Sequence, residues 1–255
     1  MTYAEVWLDG AGLTAIDPTI VLVDVQEKVP KTDVETSPLP ASDGLRITRD
    51  RRSSLSVTVS FAILEQDIVR REMVLQAVRA WAGKGRVLTM SHKMDRQLRV
   101  RAESLPVNLS VNKYTGALSV TFMACQPPYW ESVTPRSVTL SGKSGKGRLS
   151  IGGDAPSVPV EALVTPSATL TGLTLRVGDT AVTLQGISIP AGQAIAFTHE
   201  GVRGLCVRAG DASLLSARTP ESSDSLAAPA GGFAEVSFEA SCSVSVRLTA
   251  RGLWL

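Results

Sequence analysis

Reactive side chains are scarce in this sequence. Its 255 residues include only two histidines and three cysteines. Cys125, Cys206 and Cys242 lie far apart, their number is odd, and no CxxC pair occurs. That excludes a disulfide framework and a zinc-finger spacing. Cys125 and Cys242 fall in β-like runs, where a free thiol packs as a small apolar group; a reducing compartment suits all three. His92 stands in a turn beside Lys93 and Asp95, and His199 stands beside Glu200. Each place offers at most two ligands where zinc needs three or four, so both histidines read as surface residues. Neither GxSxG nor HExxH occurs. Gly142-Lys143-Ser144 has the tail of a phosphate loop, but Ser137 stands where that motif needs glycine, and no helix-forming run follows to supply the backbone amides. No catalytic residue, cofactor or metal is expected.

Long apolar runs are also missing. No segment approaches the roughly 18 apolar residues that span a bilayer, so membrane insertion is not expected. The opening MTYAEVWLDGAG lacks the basic and apolar regions of a signal peptide, which leads us to expect synthesis and folding in the cytosol. A net charge of +2 argues against bulk nucleic-acid binding. The average conceals an asymmetry. Residues 1–45 carry two Lys and eight Asp or Glu, whereas residues 46–113 carry fourteen Lys or Arg and six Asp or Glu. Two readings stand: ordinary solvated faces, or an acidic arm and a basic block that pair within one chain or between copies.

What the sequence has in quantity is alternation. Leu55, Val57, Val59, Phe61 and Ile63 place an apolar residue at every second position. So do Leu118, Val120, Phe122 and Ala124, and Val236 through Leu248. Period two buries one pleated face and wets the other. One segment reads as helix: Asp67 caps it, Val74, Ala77, Val78 and Trp81 form its buried stripe, and Gly83 and Gly85 suit a left-handed stop. Short strands follow at 86–90 and 97–102, and Asn112-Lys113-Tyr114-Thr115-Gly116 reads as a turn.

Residues 31–45, rich in Pro, Ser, Thr and Asp, read as a loop or an extended arm. Pro127 and Pro128 close the first half, because neither suits the middle of a ladder. The run SGKSGKG at 141–147 reads as a flexible linker. Beyond it, 173–177, 181–184 and 187–189 read as strands separated by turn signals, and 210–232 as a loose loop. The expected fold class is mainly β with one helix. Residues 1–134 form a sheet or sandwich with a single packed helix, and residues 135–255 form a second β-sandwich.

Two groups of residues stand out as interface candidates. Arg46, Arg49, Arg51 and Arg52 form the densest basic stretch. It lacks the interleaved aromatics of a single-strand binder, and ion pairing to the acidic segment is the preferred reading over specific nucleic-acid contact. Pro127, Pro128, Tyr129 and Trp130 make a rigid amphipathic corner. It reads as a plug closing one core, as an anchor between domains or subunits, or, third, as a place of aromatic ligand capture.

The order of elements in residues 45–131 resembles the distal tail protein family of long-tailed siphophages. A basic-led strand (RITRDRRSSLSVTVSFAI) precedes one helix ending in Trp81-Ala82-Gly83-Lys84-Gly85-Arg86, then two strands, then a close in FMACQPPYW. The ending Arg251-Gly252-Leu253-Trp254-Leu255 resembles that family's arginine-aromatic terminus. The resemblance implies a virion protein at the distal end of a phage tail. It implies a homohexameric ring of N-terminal domains, with the tail tube on one face and the tail-tip, fibre or receptor-binding protein on the other. It also implies an outward C-terminal domain, galectin-like or like a carbohydrate-binding module, that meets receptor-binding proteins or host surface glycans. Two other readings are carried forward: a working carbohydrate-binding module, against which the few aromatics after Trp130 argue, and a tail-tube or tail-completion ring protein.

Overall fold

The computed structural model describes residues 5–38, 43, 45–106, 118–124, 127–200 and 204–255. The chain is mainly β with one α-helix. It divides into two units, residues 1–130 with residue 255, and residues 131–254. The predicted turn at 112–116 and Cys125 lie outside the described residues.

The centre of the first unit is Leu55–Ile63. Its burial alternates without a break, with Leu55, Val57, Val59, Phe61 and Ile63 all inside. It pairs antiparallel with Ile20–Lys28 on one side and with Leu118–Ala124 on the other, and Arg101–Ser104 adds a fourth strand beyond the latter. Full burial of each large apolar side chain contributes roughly 1.5–3 kcal/mol, so the odd-numbered face of this strand fixes its register against any one-residue slip. A smaller antiparallel array runs in the order Ala11–Gly12, Val6–Leu8, Val87–Met90, Arg96–Arg99. The predicted strand 97–102 is therefore two strands in two sheets, and Val100, itself buried, marks the crossing.

The helix spans Ile68–Lys84, and the Asp67 carboxylate accepts a hydrogen bond from the Val69 amide at 2.9 Å. Its buried stripe is Arg71, Val74, Leu75, Val78 and Ala82. Ala77 is exposed and Trp81 half-buried, so the predicted stripe is rotated by part of a turn. Trp81 nevertheless meets the core, edge-on to Phe122 at 5.9 Å between ring centroids. Its indole N–H donates to the Ala11 carbonyl at 2.9 Å. The helix stop also differs from expectation. Gly85 has φ −68°, an ordinary value, and Gly83 lies inside the helix. What glycine supplies at 85 is room, since a Cβ there would fall 1.9 Å from Leu8 Cγ and Cδ2.

Residues 31–45 do not form a plain loop. Thr32–Pro38 pairs with Leu45–Arg52 in a two-stranded antiparallel ribbon. Composition hid the first strand because both of its faces are wet: six of its seven residues are exposed, so no burial alternation marks it.

In the second unit a nine-stranded antiparallel sheet curls around its own core. The expected sandwich takes this form because one strand serves both arms. Gly232–Ala250 pairs with Leu170–Val177 along its first half and with Val158–Pro166 along its second. Arg136–Ile151 follows its other edge throughout. Between the halves the register jumps from Gly142 opposite Val244 to Ser144 opposite Glu239. The excess residues 240–243 are stitched to the connection between Val158–Pro166 and Leu170–Val177. Ser241 Oγ accepts from the Thr171 amide at 2.9 Å, the Ser243 carbonyl from the Ser167 amide at 2.9 Å, and the Cys242 thiol donates to Ala168 O at 3.4 Å. Cys206 and Cys242 are both buried free thiols.

The run SGKSGKG is part of the 16-residue strand, not a linker. Its glycines admit neighbours: a Cβ on Gly145 would fall 2.6 Å from the Phe238 ring, and one on Gly147 2.9 Å from Leu140. The predicted strands 181–184 and 187–189 are one strand, Thr180–Ile189. Residues 219–223 of the predicted loop lie along it, with Thr219 N–H donating to Thr183 O at 3.0 Å and Ser223 N–H to Ala181 O at 2.7 Å. The loop thereby covers a sheet edge that would otherwise be open.

The two glycines at the helix end should respond oppositely to alanine. Gly85→Ala forces a methyl into buried Leu8 and should cost about 1–3 kcal/mol. Gly83→Ala, exposed and helical with nothing near its Cβ, should gain about 0.5–1 kcal/mol. Urea denaturation of the two variants measures both.

Candidate assembly surfaces

The residues singled out in the sequence meet in the first unit. Lys28 ends the strand that flanks the central one, and after three intervening residues the ribbon begins at Thr32. Its base is closed by the Lys31 amide donating to Ser53 Oγ and the Ser53 amide to Lys31 O, both at 2.9 Å. The register sets Asp33 opposite Arg51, Glu35 opposite Arg49, Ser37 opposite Arg46 and Thr32 opposite Arg52. The acidic and basic segments of the sequence are thus adjacent strands of one chain.

Arg52 joins this ribbon to the aromatic corner. Its guanidinium carbon lies 5.6 Å from the centroid of the Tyr129 ring, within reach of a cation–π attraction of about 0.5–1 kcal/mol at an exposed site. Pro127, Pro128 and Tyr129 are half-buried, and Trp130 is fully buried. The indole N–H of Trp130 donates to Glu27 Oε2 at 3.0 Å. Lys93 closes the triangle. Its ammonium lies 2.6 and 2.7 Å from the two Glu27 oxygens and 4.8 Å from the Trp130 ring centroid. His92 Nε2 stands 3.8 Å from Glu27 Oε1. Sequence reasoning placed Trp130 among the candidates but missed Glu27 and Lys93. The signal available was a glutamate and a lysine at strand and turn positions, and their convergence on an indole is set by pairing 66 and 103 residues apart in sequence.

His199 departs from the surface expectation. Its imidazole is partly buried, and neither ring nitrogen finds a hydrogen-bond partner among the described residues. Burial pushes its pKa below the ordinary histidine value of 6.5. His92 remains largely exposed. Among the described residues no group of three or more His, Cys, Asp or Glu could hold a metal ion. Among the described residues no helix is long and apolar enough to cross a membrane.

In the second unit, Arg251 fastens the chain end. Its Nη1 donates to Ser132 O at 2.8 Å and Val133 O at 2.7 Å, and the Gly252 amide donates to Ser132 Oγ at 2.9 Å. Glycine is required at Gly153, where φ is +108° and a Cβ would fall 1.9 Å from Leu253 O. The aromatics of this unit are spent on packing: Phe197 and Phe238 are buried, and Trp254 lies against Gly152 and Gly252. Phe233, 72% exposed, is the exception. A single ring makes a poor sugar platform.

No protein-family profile and no curated protein matches the sequence. Solved structures do match. The crystal structure of the SPP1 Dit (gp 19.1) protein, described as a paradigm of the hub adsorption apparatus in phages infecting Gram-positive bacteria, superposes with a TM-score of 0.72 at 12% identity. The match covers 98% of this chain and 99% of that one. Chains in the phage P2 baseplate, in its activated conformation with Ca or with Sr, match at a TM-score of 0.51 and 9% identity. They cover 98% and 97% of this chain, and 97% of their own in both cases.

Two measurements check the site. Glu27→Ala leaves the indole N–H and the Lys93 ammonium without their acceptor and should cost about 1–3 kcal/mol, read by urea denaturation. The unfolded chain's His199 binds a proton near pH 6.5 and the folded one only at lower pH, so protonation favours unfolding. The second unit should therefore lose stability as pH falls through 6.5 toward 5, and His199→Leu should flatten that slope in melts across the range. The fold of this chain is thus the fold of the SPP1 Dit protein, over nearly the whole of both chains.

Proposed function

We propose that this protein is a structural subunit of a phage tail: a distal tail protein that forms the hub between tail tube and tail tip. Six copies close a ring around the tail axis through their first units. One ring face receives the tail tube protein, and the other receives the tail-tip, fibre or receptor-binding protein. The second units project outward, where receptor-binding proteins or host surface glycans are within reach. The protein thus belongs to the virion, at the distal end of the tail.

The observation that carries this reading is likeness along the whole chain. Both units, in the same order, match a protein of the hub adsorption apparatus over 98% of this chain. Local features agree with it. A ring of identical copies needs a head-to-tail contact that closes. The four-stranded sheet of the first unit ends in Ile20–Lys28 and Arg101–Ser104, and among the described residues no further strand pairs with either. Such edges accept strands from a neighbour. The interface candidates Arg46, Arg49 and Arg51 stand on the ribbon, with Arg52 at its base over Tyr129.

Native mass measurement with negative-stain imaging of the purified chain tests the ring. The expected species is six copies of 26.9 kDa, roughly 160 kDa, with a central hole. Imaging of virions with antibody to this chain should label the tail's distal end. Label elsewhere on the particle would overturn the assignment.

A further inference from the structure

The helix Ile68–Lys84 has two apolar faces, and only one is covered. At 100° per residue, Val69, Met73, Gln76 and Ala80 fall within a narrow stripe opposite the buried Val74, Leu75, Val78 and Ala82. All four are exposed, Val69 by 69% and Met73 by 66%, with Ala77 exposed beside them. A solvent face normally carries charge, and this stripe carries none.

The ribbon has a similar face. Directly paired residues of an antiparallel ribbon share a side, as do alternate residues along a strand. Thr36 pairs with Ile47 and Pro38 with Leu45, and Val34 precedes them on the same side. Val34, Thr36, Pro38, Leu45 and Ile47 therefore share one face, apolar toward the ribbon's tip, and every one is exposed, Leu45 by 65% and Ile47 by 62%. Toward its base the same side carries Asp50, paired with Val34, and Arg52, paired with Thr32. Two strands without a covering layer are marginal in water. Because ribbon face and helix stripe are both open in the monomer, they do not cover each other within one chain.

We propose that the ribbon of one copy lies on the outer helix stripe of the next, as the clasp of a head-to-tail contact between copies of this chain. The inference rests on the ring reading above and names the surfaces that close it. The two faces match in length: ribbon residues 34–38 span about 16 Å, and Val69 to Ala80 about 17 Å. Joining them at the ribbon's tip buries Pro38, Leu45 and Ile47 against Val69, Met73 and Ala80, whereas a charged partner at these stripes would leave its charge unpaired. Each chain supplies one ribbon and one helix, the one-to-one stoichiometry of a heterologous interface.

Single cysteines test the geometry in the full chain. Ile47→Cys and Met73→Cys both sit at exposed positions, so neither disturbs a core. Mixed and mildly oxidised, the two variants should give a covalent dimer well above that of either alone or of wild type. The double variant should give a ladder of multiples. Ile47→Lys should weaken self-association about tenfold or more with the fold intact by circular dichroism. A ring of the expected mass without the mixed cross-link would overturn the clasp and leave the hub reading standing. So would an Ile47→Cys dimer formed as readily alone. A chain that stays monomeric at high concentration with no cross-link would also overturn it, and virion imaging would then decide the hub reading separately.

Discussion

One-sided burial of two central strands holds this protein together. In the first unit Leu55–Ile63 places five side chains in the core at perfect alternation, and partners on both sides take their register from it. In the second, Gly232–Ala250 keeps one face inward from Ala234 to Ala250 while it changes partners midway. The inward face is what makes the sheet curl. A strand whose buried side never switches, yet which pairs with Leu170–Val177 and then with Val158–Pro166, can only wrap around the side chains it buries.

From this constraint follows where each unit spends its polar groups. The second unit stitches its irregular segments down. Serines at 222 and 223 and the carbonyls of Ala181 and Thr183 hold the 219–223 segment on a strand edge, and Ser241 and Ser243 hold the 167–172 connection over the bulge. The first unit is less closed. Its ribbon has six exposed residues in the first strand, its helix has an uncovered apolar stripe, and its four-stranded sheet ends in strands with no further partner among the described residues. Among the described residues the first unit thus leaves apolar area and strand edges open, the surfaces that the proposed ring contact would cover.

The aromatic corner shows how a single site draws on both organising forces. Burial of Trp130 supplies packing, and its indole N–H, buried with the ring, requires an acceptor. Glu27 meets that requirement and is itself neutralised by Lys93, which also lies over the ring. Arg52 over Tyr129 then ties the base of the ribbon to the same corner. The first unit's ribbon thus grows from a point held by five side chains drawn from four distant stretches of the sequence.

The sequence by itself determined what depends on local periodicity and local chemistry. The alternating strands at 55–63, 118–124 and 236–248 and the Asp67-capped helix are legible, because partition between water and core repeats every two or 3.6 residues along the chain. Only the tertiary structure decided what depends on a distant neighbour. A glycine reads as flexibility until Leu8 is seen against Gly85 or Phe238 against Gly145. The acidic stretch at 31–45 reads as a loop until the register sets Asp33 and Glu35 opposite Arg51 and Arg49. The helix face at Ala77, the crossing at Val100 and the burial of His199 belong to the same class. In each, the environment of a residue is made by segments tens of residues away, and no local pattern encodes which segment arrives.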